Sequence, residues 1–212
     1  MSYRPVVISA VFLLVFAVIG SGLVAFTFDS TATRIAENQR RALLKSLNEL
    51  VPTERYDNDI FSDTVLVRNP ELLGSDEPIP VYRARKGGWP VAAVLAAVAP
   101  DGYNGAIRLL VAINLDGTLA GVRVVQHRET PGLGDGIEAS RSDWIRSFDG
   151  KSLTSPDKKG WRVKRDGGQF DQFTGATITP RAVVKAVHKA LLYFQLHKQK
   201  LFAKAPETQT DS

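Results

Sequence analysis

The sequence predicts an α+β fold: a single N-terminal transmembrane helix followed by one α+β domain with antiparallel hairpin strands. Residues 6–28 form an apolar run of 23 residues without a charge or a proline. Such a run is long enough to span a bilayer core of about 30 Å. Residues 106–114 and 119–125 are rich in β-forming residues and flank Asp116-Gly117, a strong hairpin signal. From residue 180 onward, apolar residues recur at helical spacing.

The composition is that of an ordinary globular protein with an appendage. Of the 212 residues, 44% are hydrophobic and 23% are charged, and the formal net charge is +5. The basic residues are scattered along the chain, so we expect no nucleic-acid binding. There is no cysteine, which excludes disulfides and thiolate-bound clusters made by this chain. The three histidines lack the spacing of a metal site, so no bound metal is expected.

The expected domain boundaries follow from the apolar run. Residues 1–5 are a short N-terminal tail, and residues 6–28 are the transmembrane helix. A cleaved signal peptide is the rival interpretation, but its apolar region is usually about 7 to 15 residues, shorter than this one. Residues 29–200 are expected to form the folded domain, and residues 201–212 a disordered polar tail.

The domain is expected to open with a stalk helix. Thr31 or Thr33 is a suitable N-cap, and the helix should end before Pro52. All three tryptophans are expected in the core, where aromatic side chains are common. The remaining predicted elements are strands over 61–68, 81–85 and 161–164, a buried strand or helix segment over 91–98, and a short helix over 144–148.

The most informative stretch is residues 171–177, which leads into the last helix. Thr179 is a good N-cap and Pro180 a good first residue, so the helix is expected to begin near Pro180. The stretch before it is small and rich in hydroxyls, which places the Thr177 hydroxyl near the positive end of the helix dipole. That arrangement suits phosphate. Because no lysine follows Gly175, the pattern is not a P-loop. A phosphoester through the hydroxyl and a simple helix entry remain as interpretations.

A second motif, residues 129–134, follows the predicted hairpin. Its one carboxylate, Glu129, and one hydroxyl, Thr130, lie among a proline and two glycines. Such a loop lets the backbone approach a flat ligand while Glu129 accepts hydrogen bonds. Taken alone, the motif is better explained as an ordinary glycine turn after a hairpin.

Together the two motifs resemble those of a known family. Proteins that carry flavin mononucleotide (FMN) esterified through its phosphate to a threonine share a D-x-x-[ST]-G-A-T signature and an E-T-P-G-L-G element. Residues 129–134 match the second element. The chain is most similar to the G subunits of the Rnf electron-transport complex, called Rsx in enterobacteria. It is less similar to the C subunits of the sodium-translocating NADH:quinone reductase. The signature is matched by Asp171, Thr174, Gly175, Ala176 and Thr177.

This resemblance implies a cofactor site. Thr177 would be the covalent anchor for FMN, and a separate flavin transferase would attach the flavin. Backbone support for the phosphate would come from Thr174, Gly175 and Ala176. The loop against the flavin would be formed by Glu129, Thr130, Pro131, Gly132 and Leu133.

The resemblance also implies a location and a role. The chain would be a single-pass protein of the bacterial inner membrane, with its FMN domain in the periplasm. It would relay electrons within a multi-subunit complex that couples electron transfer between ferredoxin and NAD to ion movement, and alone it would catalyse no complete reaction. The basic residues flanking the apolar run predict the opposite orientation, because the more basic flank of a transmembrane helix usually lies in the cytoplasm. Only Arg4 precedes the run. Four basic residues follow the run closely: Arg34, Arg40, Arg41 and Lys45.

Two other functions remain open at this stage. A stand-alone membrane flavoprotein reductase would use the same flavin, but no dinucleotide-binding G-x-G-x-x-G pattern follows a predicted strand. A non-redox, membrane-anchored interaction module would use residues 174–179 only as a helix entry and would bind no flavin.

Overall fold

The computed structural model describes residues 3–203, and the chain divides into two compact units at residues 44 and 45. From Arg4 onward the first unit is helical and belongs to α1 (Arg4–Leu50). Among the described residues, α1 is the one helix that is long and apolar enough to cross a membrane. It begins within the predicted tail of residues 1–5, and it ends before Pro52 as expected.

The predicted helix start at Thr31 or Thr33 is wrong, because α1 is continuous there. The hydroxyl of Thr31 donates to the carbonyl oxygen of Thr27 at 2.8 Å, one turn earlier in the same helix. The hydroxyls of Thr27 and Ser30 are also bonded to carbonyls four residues back. A threonine hydroxyl that is bonded to a carbonyl of the preceding turn is compatible with a position inside a helix. Thr31 therefore does not mark a helix start.

The second unit contains a five-stranded antiparallel sheet in the order β1-β2-β3-β4-β5. This confirms the α+β class, and the hairpin around Asp116-Gly117 joins β4 and β5 as predicted. The run over 91–98 is a strand rather than a helix segment. The strand bounds are β1 (Thr64–Val67), β2 (Ile79–Lys86), β3 (Trp89–Ala99), β4 (Ile107–Asn114) and β5 (Leu119–Gln126).

One face of the sheet packs against the last helix, α3 (Ile178–Phe202). A short helix, α2 (Pro70–Leu73), adds Leu73 to the same core. The apolar stripe predicted for α3 is confirmed, because all its members are at most 2% exposed. They are Val183, Val187, Ala190, Leu191 and Phe194.

The opposite face of the sheet is buried as well. Successive residues of a strand point to opposite faces, so Ala92 and Val94 face away from α3 while Ala93 and Leu95 face it. Ala92 and Val94 are nevertheless fully buried. The last turn of α1 reaches this side, since a Cβ on Gly121 of β5 would lie 2.9 Å from a methyl carbon of Leu50.

An aromatic cluster replaces the predicted last strand. Residues 161–164 form a single bridge, Val163 to Phe170, and no strand, so that prediction is wrong. Trp144 and Trp161 are buried as expected, in contact with Phe148. Trp89 was expected in the core, but it is 78% exposed at the β2–β3 turn. The short helix over 144–148 is a 3₁₀-helix.

The helix α3 continues past residue 200, where the disordered tail was expected to begin. Leu201 is 2% exposed, and the guanidinium of Arg83 donates to the carbonyl oxygens of Leu201 and Ala203 at 3.2 and 3.3 Å. Arg85 donates to Phe202 at 3.3 Å. These bonds satisfy the free carbonyls at the end of the helix. The rest of the predicted tail, residues 204–212, lies outside the described residues.

Candidate functional site

The start of α3 is shaped by the turn before it. Gly175 has a φ of +82°, a conformation that glycine adopts without strain. The amide of Ala176 donates back to the carbonyl of Phe173 at 3.2 Å, which closes the turn. Thr177 occupies the N-cap position, and no side chain caps the helix. The first N–H groups of an α-helix have no acceptor within the helix, so this uncapped end can receive an anion.

Thr179 is not the N-cap that the sequence predicted. It lies inside the first turn of α3, is fully buried, and donates its hydroxyl to Oε2 of Glu129. Thr177 thus occupies the position assigned to Thr179, and its own hydroxyl makes no capping bond. Local sequence favoured Thr179 because a threonine before a proline is typical of helix starts.

The two motifs meet at a cavity of about 370 Å³. Thr177, with Gly175 and Ala176, forms one wall, and residues of the 129–134 loop form another. The sequence separates these segments by more than forty residues, and the fold brings them together beside the start of α3. The full lining is Tyr103, Glu129, Thr130, Leu133, Gly134, Gly175, Ala176, Thr177, Ile178 and Thr179.

Three of the predicted site residues lie elsewhere. Thr174, Pro131 and Gly132 line a second, open depression of about 630 Å³ formed by the same loops. Leu133 lines both spaces and is 49% exposed. The structure therefore brings Glu129, Thr130 and Leu133 to Thr177, and it does not bring Thr174, Pro131 and Gly132 there.

The 129–134 loop is held by its own backbone. The carbonyl oxygen of Thr130 accepts from the amides of Leu133 at 3.1 Å and Gly134 at 3.0 Å. Gly132 has a φ of +78°, and its amide donates to Asp135 Oδ1 at 2.8 Å. The loop is a compact turn with defined walls, which suits a site that must hold a rigid ligand.

A histidine fixes the base of the same loop. His127 Nδ1 accepts a hydrogen bond from the backbone amide of Glu129 at 3.0 Å, which leaves Nε2 to donate. Nε2 is 2.7 Å from Oε1 of Glu138. The hydrogen bond from His127 is the main reason that the pKa of Glu138 is lowered, and the Ser140 hydroxyl adds to it.

The lead-in to the Thr177 turn is tied to the aromatic cluster. The indole N–H of Trp144 donates to the carbonyl oxygen of Asp171 at 2.7 Å, and the Phe173 ring lies 5.3 Å from the Trp144 ring. The carboxylate of Asp171 pairs with Lys164 at 2.6 Å. The buried cluster thus fixes where the Thr177 turn begins.

Sequence reasoning did not assign four residues to the site, of which Thr179 is described above and the others are Tyr103, Asn104 and Ile178. Tyr103 and Ile178 line the cavity and are 66% and 46% exposed, so they offer apolar surface at its mouth. Asn104 is bonded through its backbone amide to Glu129 at 3.1 Å and through its side chain to Thr130 at 3.0 Å. The sequence of residues 101–105, with glycines at 102 and 105, predicts only a turn. Nothing in it indicates contact with the 129–134 loop.

The residues present fit FMN. Free N–H groups and the Thr177 hydroxyl suit a phosphate at the start of α3. The exposed apolar side chains of Tyr103, Leu133 and Ile178 suit a flat ring system. Within residues 3–203, no group of histidine and acidic side chains could hold a metal ion.

The match to a family of FMN-binding domains covers the residues of this site. Residues 102–192 match the model described as FMN-binding domain, and every residue lining the cavity lies within that range. Residues 1–50 match the model described as RnfG N-terminal region, and this range includes the whole of α1.

Full-length relatives match nearly the whole chain. A protein of Pseudomonas aeruginosa is 54% identical over 94% of this chain and 94% of its own length. One of Pseudoalteromonas atlantica is 50% identical over 91% and 89%, and one of Shewanella oneidensis is 47% identical over 94% of each. All three are named as the G subunits of ion-translocating oxidoreductase complexes. The chain therefore belongs to this family of G subunits, and residues 102–192 are its FMN-binding domain.

Proposed function

We propose that this chain is the membrane-anchored, electron-carrying G subunit of an ion-translocating oxidoreductase complex, and that FMN is joined to it by a phosphoester at Thr177. One observation carries the proposal. The Thr177 hydroxyl belongs to the uncapped start of α3, on the wall of a cavity that the 129–134 loop also lines.

Each part of the cavity has a role in this proposal. The N–H groups of Ile178 and Thr179 and the positive end of the α3 dipole stabilise the phosphate. Gly175 and Ala176 keep the turn open so that the phosphate can approach the backbone. Tyr103 and Leu133 contact the ring. Bound FMN supplies one-electron redox chemistry, and the protein fixes its position and tunes its potential.

Thr177 acts once, during attachment, and takes no part in turnover. A separate flavin transferase provides the base. Glu129, the carboxylate on the cavity wall, accepts from Asn104 and Thr179 and links the segments of the wall. Covalent attachment keeps the carrier on the protein at any concentration of free flavin.

The proposed setting is the bacterial inner membrane. The apolar part of α1 spans the bilayer once, the FMN domain lies in the periplasm, and the other subunits of an Rnf-type complex are the partners. Electron transfer between ferredoxin and NAD would be coupled there to ion movement. Long translocated domains are less governed by flanking charge than short loops are, so the charges after α1's apolar run do not decide the orientation.

The proposal is tested by the mass of the full chain. The chain would be produced in a host that contains the flavin transferase, purified in detergent and weighed intact beside Thr177→Ala and Thr154→Ala. Thr154 is an exposed hydroxyl far along the chain from the cavity lining and is the matched control.

The parent and Thr154→Ala are expected to gain the mass of FMN less one water, and Thr177→Ala to gain nothing. An unmodified parent in that host would contradict the proposal and favour the non-redox interaction module.

A further inference from the structure

We infer that Thr179 and Glu129 are a positioning pair that joins the walls of the cavity and fixes the uncapped start of α3 for the flavin phosphate. This inference rests on the proposed attachment at Thr177. Neither side chain takes part in forming the phosphoester bond. Both act by positioning Thr177 and the N–H groups beside it.

The pair is buried, and every polar atom of its side chains is used. Thr179 is 0% and Glu129 5% exposed. Glu129 Oε2 accepts from the Thr179 hydroxyl, and Oε1 accepts from the amide of Asn104 at 3.1 Å. One carboxylate therefore links three segments: the 101–105 turn, the 129–134 loop and α3. A buried polar network that is fully satisfied holds its members in one arrangement.

The start of α3 has no side-chain cap. A capping residue normally has an extended backbone, whereas Thr177 at the N-cap has a φ of −81° and a ψ of −27°, and its hydroxyl makes no capping bond. Thr179, the second residue of the helix, donates its hydroxyl to Glu129. The first N–H groups of α3 therefore have no side-chain acceptor, and a phosphate on Thr177 would accept from them.

The pair also explains the last glycine of the 129–134 loop. Gly134 has a φ of −91°, which any residue can adopt, so its backbone conformation does not require glycine. A Cβ there would lie 2.9 Å from Cβ of Glu129, 3.0 Å from its Oε2 and 3.1 Å from the Thr179 hydroxyl oxygen. Glycine is required at this position because the pair occupies the space.

A second glycine shows the same close approach from the other side. A Cβ on Gly102 would lie 3.0 Å from Oε1 of Glu129 and 2.2 Å from the carbonyl oxygen of Gly105. The carboxylate is therefore packed between glycines of the two segments it joins, and its position is set by contact as well as by hydrogen bonds.

The test compares Thr179→Val with Thr179→Ser in the full chain. Valine has nearly the shape of threonine but cannot donate, whereas serine restores the hydroxyl. The unmodified proteins would be purified in detergent and given purified flavin transferase with its flavin substrate. The readouts are the attachment rate, followed by intact mass, and the melting temperature of the same unmodified samples.

Thr64→Val is the matched control, because it removes a threonine hydroxyl bonded to the Phe61 carbonyl at 2.9 Å, in β1 and outside the cavity lining. Thr179→Val is expected to attach flavin at least about tenfold more slowly than the parent, the effect of losing a hydrogen bond to a charged group. Thr179→Ser and Thr64→Val should stay within about threefold of the parent.

A purely stabilising role for the pair would lower the melting temperature of Thr179→Val while its folded fraction attached flavin at the parent's rate. That result would overturn the inference and leave the attachment at Thr177 standing. A parent that takes no flavin would overturn both proposals.

If Thr179→Val does not fold, Thr179→Ala provides the same test. Alanine removes the hydroxyl that donates to Glu129 and places no second methyl group in its position. We expect slower attachment in this variant too, and attachment at the parent's rate would overturn the inference.

Discussion

Two threonines that lie two positions apart at the start of α3 have different roles. Thr177 faces the cavity with an uncommitted hydroxyl, whereas Thr179 is buried and bonded to Glu129. The sequence could identify Thr177 through its motif. It could not identify the role of Thr179, since the partner is fifty residues away in the chain and a local cap was the simpler expectation.

At the same scale, Gly134→Ala is expected to slow flavin attachment and to lower the free energy of unfolding by about 1 to 3 kcal/mol, the usual effect of overpacking. The new methyl group would press on Glu129 and Thr179. Chemical unfolding of the unmodified chain and the attachment rate measure the two effects.

Gly117→Ala is the control for this substitution. Gly117 lies in the β4–β5 turn with a φ of +90° and nothing within 4 Å of an added Cβ. Its replacement strains the backbone without touching the cavity, so attachment should be unchanged. Equal attachment rates for the two alanine variants would contradict the steric argument.

Among the elements, α3 organises the FMN-binding domain. Its first turn forms the site, its apolar stripe covers one face of the sheet, and its last carbonyls are bonded to Arg83 and Arg85. Helical spacing predicted the stripe, and the Asp116-Gly117 turn predicted the hairpin, because both signals are local. Residues 161–164 look like a strand locally, but aromatic packing against Phe148 and Phe170 decides their structure.

One side chain of α3 makes the packing of this helix sensitive to pH. The ring of His188 stacks on Trp161 at 5.3 Å, and burial, with a smaller contribution from Lys158, lowers the pKa of His188 below its ordinary value. The unfolded state then binds more protons than the folded state as the pH falls through about 6.5. Stability should therefore be lost on acidification through this range.

His188→Gln is expected to reduce that loss. Melting temperatures measured between about pH 8 and about pH 5.5, which brackets imidazole titration, should fall less in the variant than in the parent. Lys158→Gln removes only the lesser cause and should recover a smaller part of the loss. If the parent and His188→Gln show the same pH dependence, the half-buried imidazole of His188 is not its source.

For the whole molecule, flanking charge and the proposed function predict opposite orientations in the membrane. The fold of each unit follows from burial and hydrogen bonding, but neither of these distinguishes one side of a bilayer from the other. Flanking charge favours a cytoplasmic domain, and the proposed function requires a periplasmic one. Only an accessibility measurement separates the two.

The absence of native cysteine makes that measurement direct. Lys159→Cys introduces a single thiol in an exposed loop of the FMN-binding domain. In cells with a permeabilised outer membrane and an intact inner membrane, a membrane-impermeant maleimide is expected to label it. Labelling only after the inner membrane is lysed would place the domain in the cytoplasm and contradict the proposed setting.

The central claim is that FMN is esterified to Thr177, and locating the flavin within the chain tests it most directly. Cleavage after Arg165 and Arg181 releases residues 166–181, which contain Thr174, Thr177 and Thr179 together. Fragmentation of this peptide from flavin-loaded full-length protein is expected to place the added mass on Thr177 alone. Mass on Thr174 or Thr179, or a loaded protein whose peptide 166–181 is unmodified, would contradict the account.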